Sequence, residues 1–262
     1  MIKNSGSKSR IKRTAVEQVY NRIRDDILNG KYPLGAHLVR RVIAKRYGVS
    51  VMPVMEAFYK LEADGLVENS PQVGTHVIAM NAEDVKGDAL LREAIECQVA
   101  RLFTVNASDH DKKQLMELAH LLDEMTGMGV GTNPEADRLF QKTHSEFHLA
   151  LAKVSGAKQL YQQMKKIWYR RLIVVGMTSL GIFSKAKDFH GTLMVGLMSG
   201  DPDEAERAMR THVDFLTDKY GDSVDEILRR GKKELMRLMV AGRDAGDDQA
   251  ATRQEDGPFA EA

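Results

Sequence analysis

Ala44-Lys45-Arg46-Tyr47-Gly48-Val49-Ser50-Val51-Met52-Pro53-Val54-Met55-Glu56-Ala57-Phe58-Tyr59-Lys60-Leu61-Glu62-Ala63-Asp64-Gly65 decides the fold. It reads as the end of one helix, a tight turn at Gly48-Val49-Ser50, and a second helix from Val51 to Ala63. Ser50 is placed to cap that helix, and Pro53 is tolerated because it falls in the first turn, where the N–H has no partner to lose. Val54, Ala57, Phe58 and Leu61 recur at helical spacing and form a buried stripe. Asp64-Gly65 stops the helix.

Upstream, Thr14-Ala15-Val16-Glu17 reads as a capping box. Val16, Val19, Tyr20, Ile23 and Ile27 follow at helical spacing until Asn29-Gly30. Tyr32-Pro33-Leu34-Gly35 is a turn. The next helix covers roughly Arg40 to Arg46, with Val42 and Ile43 expected to point inward. Downstream, Leu66-Val67-Glu68 and Thr75-His76-Val77-Ile78 read as two short strands around Pro71-Gln72-Val73-Gly74. Three helices followed by a β-hairpin is the winged helix-turn-helix order. From Asn81 onward no strand pattern appears. The periodicity predicts helices near 82–105, 109–127, 134–154, 157–177, 181–199, 202–220 and 223–240, with Asp201 before Pro202 as a cap-then-N1 pair. The expected fold is therefore mainly α: a winged helix-turn-helix over 12–80 joined to an all-helical domain over 81–240. A basic tail at 1–11 and an Asp/Gly/Ala-rich tail at 241–262 read as disordered.

Composition narrows the class. No apolar run approaches the roughly 20 residues needed to span a bilayer, and the N-terminus lacks a secretory signal's apolar stretch. Cys97 is the one cysteine, so an internal disulfide and a cysteine-built zinc site are both excluded, and a reducing cytoplasm fits. Cys97 sits at an apolar-periodic helix position and reads as a buried, inert thiol. The formal charge of +1 hides an asymmetry. Residues 1–80 carry thirteen Lys/Arg against seven Asp/Glu, while the remaining 182 carry twenty-five against thirty. A basic front joined to an acidic back suggests that the front meets a polyanion, although a solvated charged surface has the same composition.

The stretch from Gly30 to Ile78 resembles the DNA-binding domain of the GntR family of regulators. The matching pieces are Ile27-Leu28-Asn29-Gly30-Lys31-Tyr32-Pro33-Leu34-Gly35, Ala44-Lys45-Arg46-Tyr47-Gly48-Val49-Ser50, Pro53-Val54 and Glu56-Ala57. They end with Leu61-Glu62-Ala63-Asp64-Gly65-Leu66-Val67 and the wing Gly74-Thr75-His76-Val77. The resemblance implies that the helix from Val51 lies in the major groove of double-stranded DNA, offering Ser50, Val51, Met52, Met55, Glu56 and Tyr59 to the base edges. Arg40, Arg41, Lys45, Arg46 and Lys60 would neutralise phosphates around it, and Lys8, Arg10, Lys12 and Arg13 could add backbone contacts. Gly74 and His76 belong to the wing, which would reach toward the minor groove. Arg41 matches a family base-contacting arginine. Val51 and Met55 stand where family members usually carry guanine-reading arginines. An apolar side chain can touch a thymine methyl but cannot pair bidentately with guanine. An unusual sequence preference is expected, and a fold that has lost specific DNA binding is the alternative.

The helical half is similar to the FadR-type effector domain, called FCD, over about residues 84–220. The resemblance rests on Leu91-Arg92-Glu93-Ala94-Ile95-Glu96, Phe147-His148, Ser155-Gly156, His190, and Gly200-Asp201 with Ala205 and Met209-Arg210-Thr211-His212. Many members hold a divalent metal with one Asp and three His. The three histidines correspond to His148, His190 and His212, and the Asp position is His144. His144 and His148 lie one turn apart on one helix face, a chelating geometry. Imidazole suits Zn, Ni, Cu and Fe, and Zn or Ni is the expected ion. Replacing Asp by His removes a negative charge, so the site is expected to carry the full metal charge and to favour an anionic ligand. Core or surface histidines without a common role are the plainer possibility. His37, His76, His110 and His120 read as solvated or packing residues. Arg92 and Arg171 are candidates for holding an effector carboxylate, against the plainer role of helix-surface arginines. Met164, Ile167, Trp168, Leu172 and Val175 read as a packing stripe.

The function these features imply is a cytoplasmic, nucleoid-associated, homodimeric transcription regulator, expected to be a repressor. Its operator binding would respond to a small organic acid held in the helical domain, with no membrane partner. A metal-dependent enzyme using the histidines is one alternative, but no general base is evident and protein could fill every metal position. A non-specific DNA-binding protein is the other.

Overall fold

The computed structural model describes residues 14–126, 128, 130–131, 133–176, 188–220 and 229. The two tails, the basic Lys8, Arg10, Lys12 and Arg13, and nearly all of the helix expected at 223–240 lie outside the described residues.

The chain begins with α1 (Ala15–Leu28), held at its start by the expected capping box: Glu17 N–H donates to the Thr14 hydroxyl, and the Glu17 carboxylate accepts from Thr14 N–H. Next come α2 (Arg40–Tyr47), α3 (Val51–Ala63), β1 (Val67–Ser70) and β2 (Gly74–Val77). The strands pair antiparallel with Val67 opposite Val77 and Ser70 opposite Gly74. Gly48 closes α2 with φ 66°, a left-handed conformation that favours glycine and lets the chain turn straight into α3. Ser50 occupies the N-cap position of α3, but its side chain makes no capping hydrogen bond. Val19, Ile23, Ile27, Ile43, Val54, Phe58, Leu61, Leu66 and Val77 fill this first core. Val42, expected inward, is 61% exposed. Successive residues on a helix point about 100° apart, and on so short a helix Ile43 and Ala44 take the inner face.

The rest of the described chain is helical: α4 (Ala82–Asn106), α5 (Asp109–Thr126), α6 (Pro134–Val154), α7 (Lys158–Gly176), α8 (Phe189–Leu197) and α9 (Pro202–Tyr220). α9 packs along α4 and α8, α5 packs on α6 and α8, and α7 packs on α6 and α4. Val99, Phe103, Leu122, Phe147, Leu151, Met164, Trp168, Leu193 and Met209 are among the residues of this second core, and Cys97 is buried in it. Gly196 lets α8 approach α9 closely, because an added Cβ there would collide with Ala208. Asp201 caps α9 by accepting from Asp203 N–H. The helix expected over 181–199 starts only at Phe189, since Asp188 has φ 55° and cannot continue a right-handed helix; residues 181–187 lie outside the described residues.

One element joins the two cores. Ile173 of α7 is fully buried in the first core, while Met164, Ile167 and Trp168 of the same helix are buried in the second.

Candidate functional site

α6 carries the inner ends of the site. Phe140, His144, Phe147, His148 and Leu151 repeat every three or four residues, so one buried face of the helix carries both imidazoles among apolar side chains, with the buried Gln141 one turn before His144. α8 contributes His190 and α9 contributes His212. All four histidines are at most 3% exposed. His144, His190 and His212 offer ring nitrogens that lie within 4.8 Å of one another. His148 joins through His144, the two Nε2 atoms being 3.0 Å apart.

Both ring nitrogens of His212, Nε2 of His190 and Nδ1 of His144 are buried without a hydrogen-bond partner. Buried polar atoms are normally paired, and leaving them bare costs about 1–3 kcal/mol each. Burial first, and then the neighbouring imidazoles, push His144 and His212 well below the usual histidine range, so both are neutral ligands-in-waiting rather than cations. The donor set therefore fits a divalent transition ion.

Two carboxylates stand directly behind these rings. Glu96 of α4 is fully buried, and its Oε2 lies 3.1 Å from Nδ1 of His148. Its Oε1 accepts from Trp168 Nε1 at 3.0 Å and lies 3.7 Å from Nε of Arg92. Burial alone would raise Glu96, but the charges of His148 and Arg92 and the hydrogen bonds outweigh it, and the group is held below the usual glutamate range. Asp123 of α5 lies 2.7 Å from Nδ1 of His190. It also accepts from the main-chain N–H of His190 and Gly191, and so caps α8 from another helix. Asp123 too is raised by burial and lowered further by its bonds with His190 and Gly191.

Neither carboxylate was picked out from the sequence. Glu96 had a signal, because it interrupts the buried stripe of Arg92, Ile95, Val99, Ala100 and Phe103 on α4. Asp123 had none, because its partner is 67 residues away. Together they place two carboxylates one layer out from the four histidines, behind His148 and His190.

Arg92 and Arg171 converge on Trp168, with guanidinium carbons 5.7 and 5.4 Å from its ring centroid. Arg92 is 4% exposed rather than on the helix surface. Trp168 in turn stacks on His148 at 4.9 Å between centroids. Phe189 stacks on His212 at 4.3 Å.

At the other end of the molecule, Arg41, Lys45, Ser50, Val51, Met52, Tyr59 and Lys60 are exposed, and Met55 is half-buried. They surround the outer face of α3. Arg46 is engaged with Tyr32, its Nη1 donating to the hydroxyl at 2.9 Å. Arg40 lies at the edge of hydrogen-bond range of Asn69 on the wing, 3.5 Å away. His76 is 3.5 Å from Glu68 on the paired strand, and Gly74 opens β2. His37, His110 and His120 are exposed.

Among the described residues, no helix is long and apolar enough to cross a membrane. The family described as bacterial regulatory proteins, gntR family, matches residues 15–77, and the FCD domain matches residues 89–215. A probable D-xylose utilization operon transcriptional repressor from Paenarthrobacter nicotinovorans is 29% identical over 208 residues, covering 79% of this chain and 89% of that protein. The HTH-type transcriptional repressor RspR of Escherichia coli is 25% identical over 204 residues, covering 77% and 87%. Among solved structures, Escherichia coli McbR/YncC aligns with a TM-score of 0.62 at 19% identity, over 80% of this chain and all of that one, and shares the fold.

Proposed function

The chain belongs to the GntR family of bacterial regulatory proteins, its helical half an FCD domain, and on that premise we propose that His144, His148, His190 and His212 hold one divalent transition ion and that a small carboxylate bound beside it controls the grip on DNA. The protein is a DNA-binding transcriptional regulator, as its families and relatives are, and not an enzyme. The observation that carries the metal proposal is the set of unpartnered, buried ring nitrogens from three different helices converging on one place. Zn or Ni suits such imidazole donors. When bound, the ion supplies a positive charge that attracts a carboxylate. Two guanidinium groups, Arg92 and Arg171, converge on the same tryptophan and are suited to pair with that carboxylate bidentately.

The DNA interface is the outer face of α3, with Ser50, Val51, Met52, Met55 and Tyr59 toward the bases and Arg40, Arg41, Lys45 and Arg46 around them, and with Gly74 and His76 on the wing. The two relatives named above are described as repressors, and we assign the same sign here. A homodimer on two half-sites follows, since one winged helix buries too little surface for tight specific binding. Such a protein works in the cytoplasm, on the nucleoid.

Elemental analysis of protein purified without chelator or polyhistidine tag tests the metal assignment. About one equivalent of Zn or Ni is expected, with a rise in melting temperature on adding the ion to stripped protein. His148→Ala should abolish tight binding. His144→Asp, which restores the family's ligand, should keep it. Metal-free protein with no thermal shift would return the four histidines to ordinary bundle residues.

A further inference from the structure

We infer that Glu96 and Asp123 are positioning residues for the histidine centre, each holding a proton on the Nδ1 of one imidazole so that the opposite nitrogen presents its lone pair to the ion; this rests on the metal proposal above. A neutral imidazole carries one proton, and whichever nitrogen has it cannot be a ligand. Two of the four rings have a carboxylate on their Nδ1 side. His190 Nδ1 is 2.7 Å from Asp123, and its Nε2 is buried with no partner. His148 Nδ1 is 3.1 Å from Glu96 Oε2, a close charge contact in which neither atom makes a hydrogen bond as placed, and its Nε2 faces that of His144 at 3.0 Å. With the His148 proton on Nδ1, its Nε2 accepts from His144 Nε2–H in the metal-free protein, and the buried, unpartnered Nδ1 is the nitrogen on which His144 keeps a lone pair. Both contacts thus select the same tautomer and turn Nε2 toward the centre.

The carboxylates are themselves fixed. Trp168 Nε1 and the nearby Arg92 hold Glu96. The first turn of α8 holds Asp123, so the group that orients His190 also fixes the start of the helix that carries it. The anchoring matters because a carboxylate free to rotate would not select a tautomer. Their negative charges, one of them shared with Arg92, offset part of a divalent ion's charge without entering its ligand set.

The test uses the full chain, stripped of metal and labelled with 15N in its histidines. Long-range proton–nitrogen spectra near neutral pH should show His148 and His190 protonated on Nδ1. Glu96→Gln presents an amide to His148 and should move its proton to Nε2. Asp123→Asn leaves an oxygen to accept from α8 but should loosen the His190 tautomer. Zinc affinity, read by competition with a chromophoric chelator, should fall about 10–100-fold in each variant. Glu146→Gln, an exposed carboxylate on the same helix as His144, should leave it unchanged. Wild-type protein that binds no zinc would overturn the metal proposal, while the tautomers would still decide this one. Wild-type protein whose two rings are protonated on Nε2 overturns the inference. So do folded variants that keep both tautomers and the wild-type zinc affinity. Melting temperature and Trp168 fluorescence identify any variant that fails to fold, in which case the wild-type spectra decide.

Discussion

Arg41 and Lys45 lie close in sequence, and both are exposed on α2, yet they are expected to act differently. Arg41→Ala should weaken binding to the preferred operator by about 1–3 kcal/mol and relax its sequence, because arginine can read a base edge. Lys45→Ala should weaken binding to all sequences alike and flatten the salt dependence. Competition binding against operator and random DNA separates the two, and an Arg41→Ala protein with unchanged affinity and preference would misplace this helix pair. Met55→Arg should raise affinity and shift preference toward guanine-containing sites. The buried imidazoles predict a pH dependence of their own. His144 and His212 stay neutral in the folded protein, while in the unfolded chain they take up protons as pH falls through about 6.5. The unfolded state then binds more protons, so stripped protein should lose stability steadily below about pH 6.5 and be insensitive to these groups above it. His212→Leu should flatten that slope in melting experiments from pH 7.5 to 5.5, and an equally steep slope in the variant would assign the effect elsewhere. The histidines themselves were legible in the sequence, because four of them fell on positions with a family pattern. Asp123 was not, because a carboxylate on a helix face reads as solvated until the fold brings a partner to it, and Glu96 was marked only by its place in the buried stripe of α4.

Among the elements, α7 has the widest reach. Trp168 stacks on His148 and donates to Glu96. Arg170 pairs with Asp88 of α4 at 2.5 Å. On the opposite side, Lys165 pairs with Asp64 at the end of the α3 helix at 2.8 Å, and Tyr20 of α1 donates to the same carboxylate. Ile173 is buried in the winged-helix core. On the account proposed above, α7 is the element expected to carry a shift of Trp168 to the DNA-reading domain. Ile173→Ala should cost about 2–5 kcal/mol of stability, as large-to-small changes in packed cores do. Lys165→Ala should cost far less stability, since the pair is partly exposed, but should reduce the effect of metal on DNA affinity. Lys165→Ala protein whose DNA binding responds to metal as strongly as the wild type would remove α7 from the route. The periodicity of α7 was plain, and its stripe of Met164, Ile167, Trp168, Leu172 and Val175 is buried as expected. That Ile173, outside this stripe, is buried in the winged-helix core was not plain, since a repeat of apolar residues states that a face is buried but not against what. The wing and α3 were legible almost to the residue because turn glycines and caps mark their ends. The start of α8 was not, because Asp188 adopts a left-handed conformation that aspartate's identity does not announce.

The molecule pairs a basic DNA-reading end with an acidic helical end, and α7 is buried in the cores of both. Its families and relatives make it a transcriptional regulator. The proposed coupling links a metal-centred site in the helical domain, a carboxylate beside it, and a dimer whose two α3 helices read a repeated half-site. Charge asymmetry and the helix-turn-helix stretch gave the first half of that picture from sequence. The second half depends on residues from α4, α5, α6, α8 and α9 meeting at one point, which only the fold supplies. Selection of bound DNA from a random pool, run with the full chain plus zinc and again after stripping with a chelator, tests the central claim most directly. The account predicts enrichment of an inverted repeat in the zinc-loaded selection and a changed affinity for that repeat in the stripped one. A pool with no enriched sequence, or one enriched identically and bound equally well with and without metal, would contradict it.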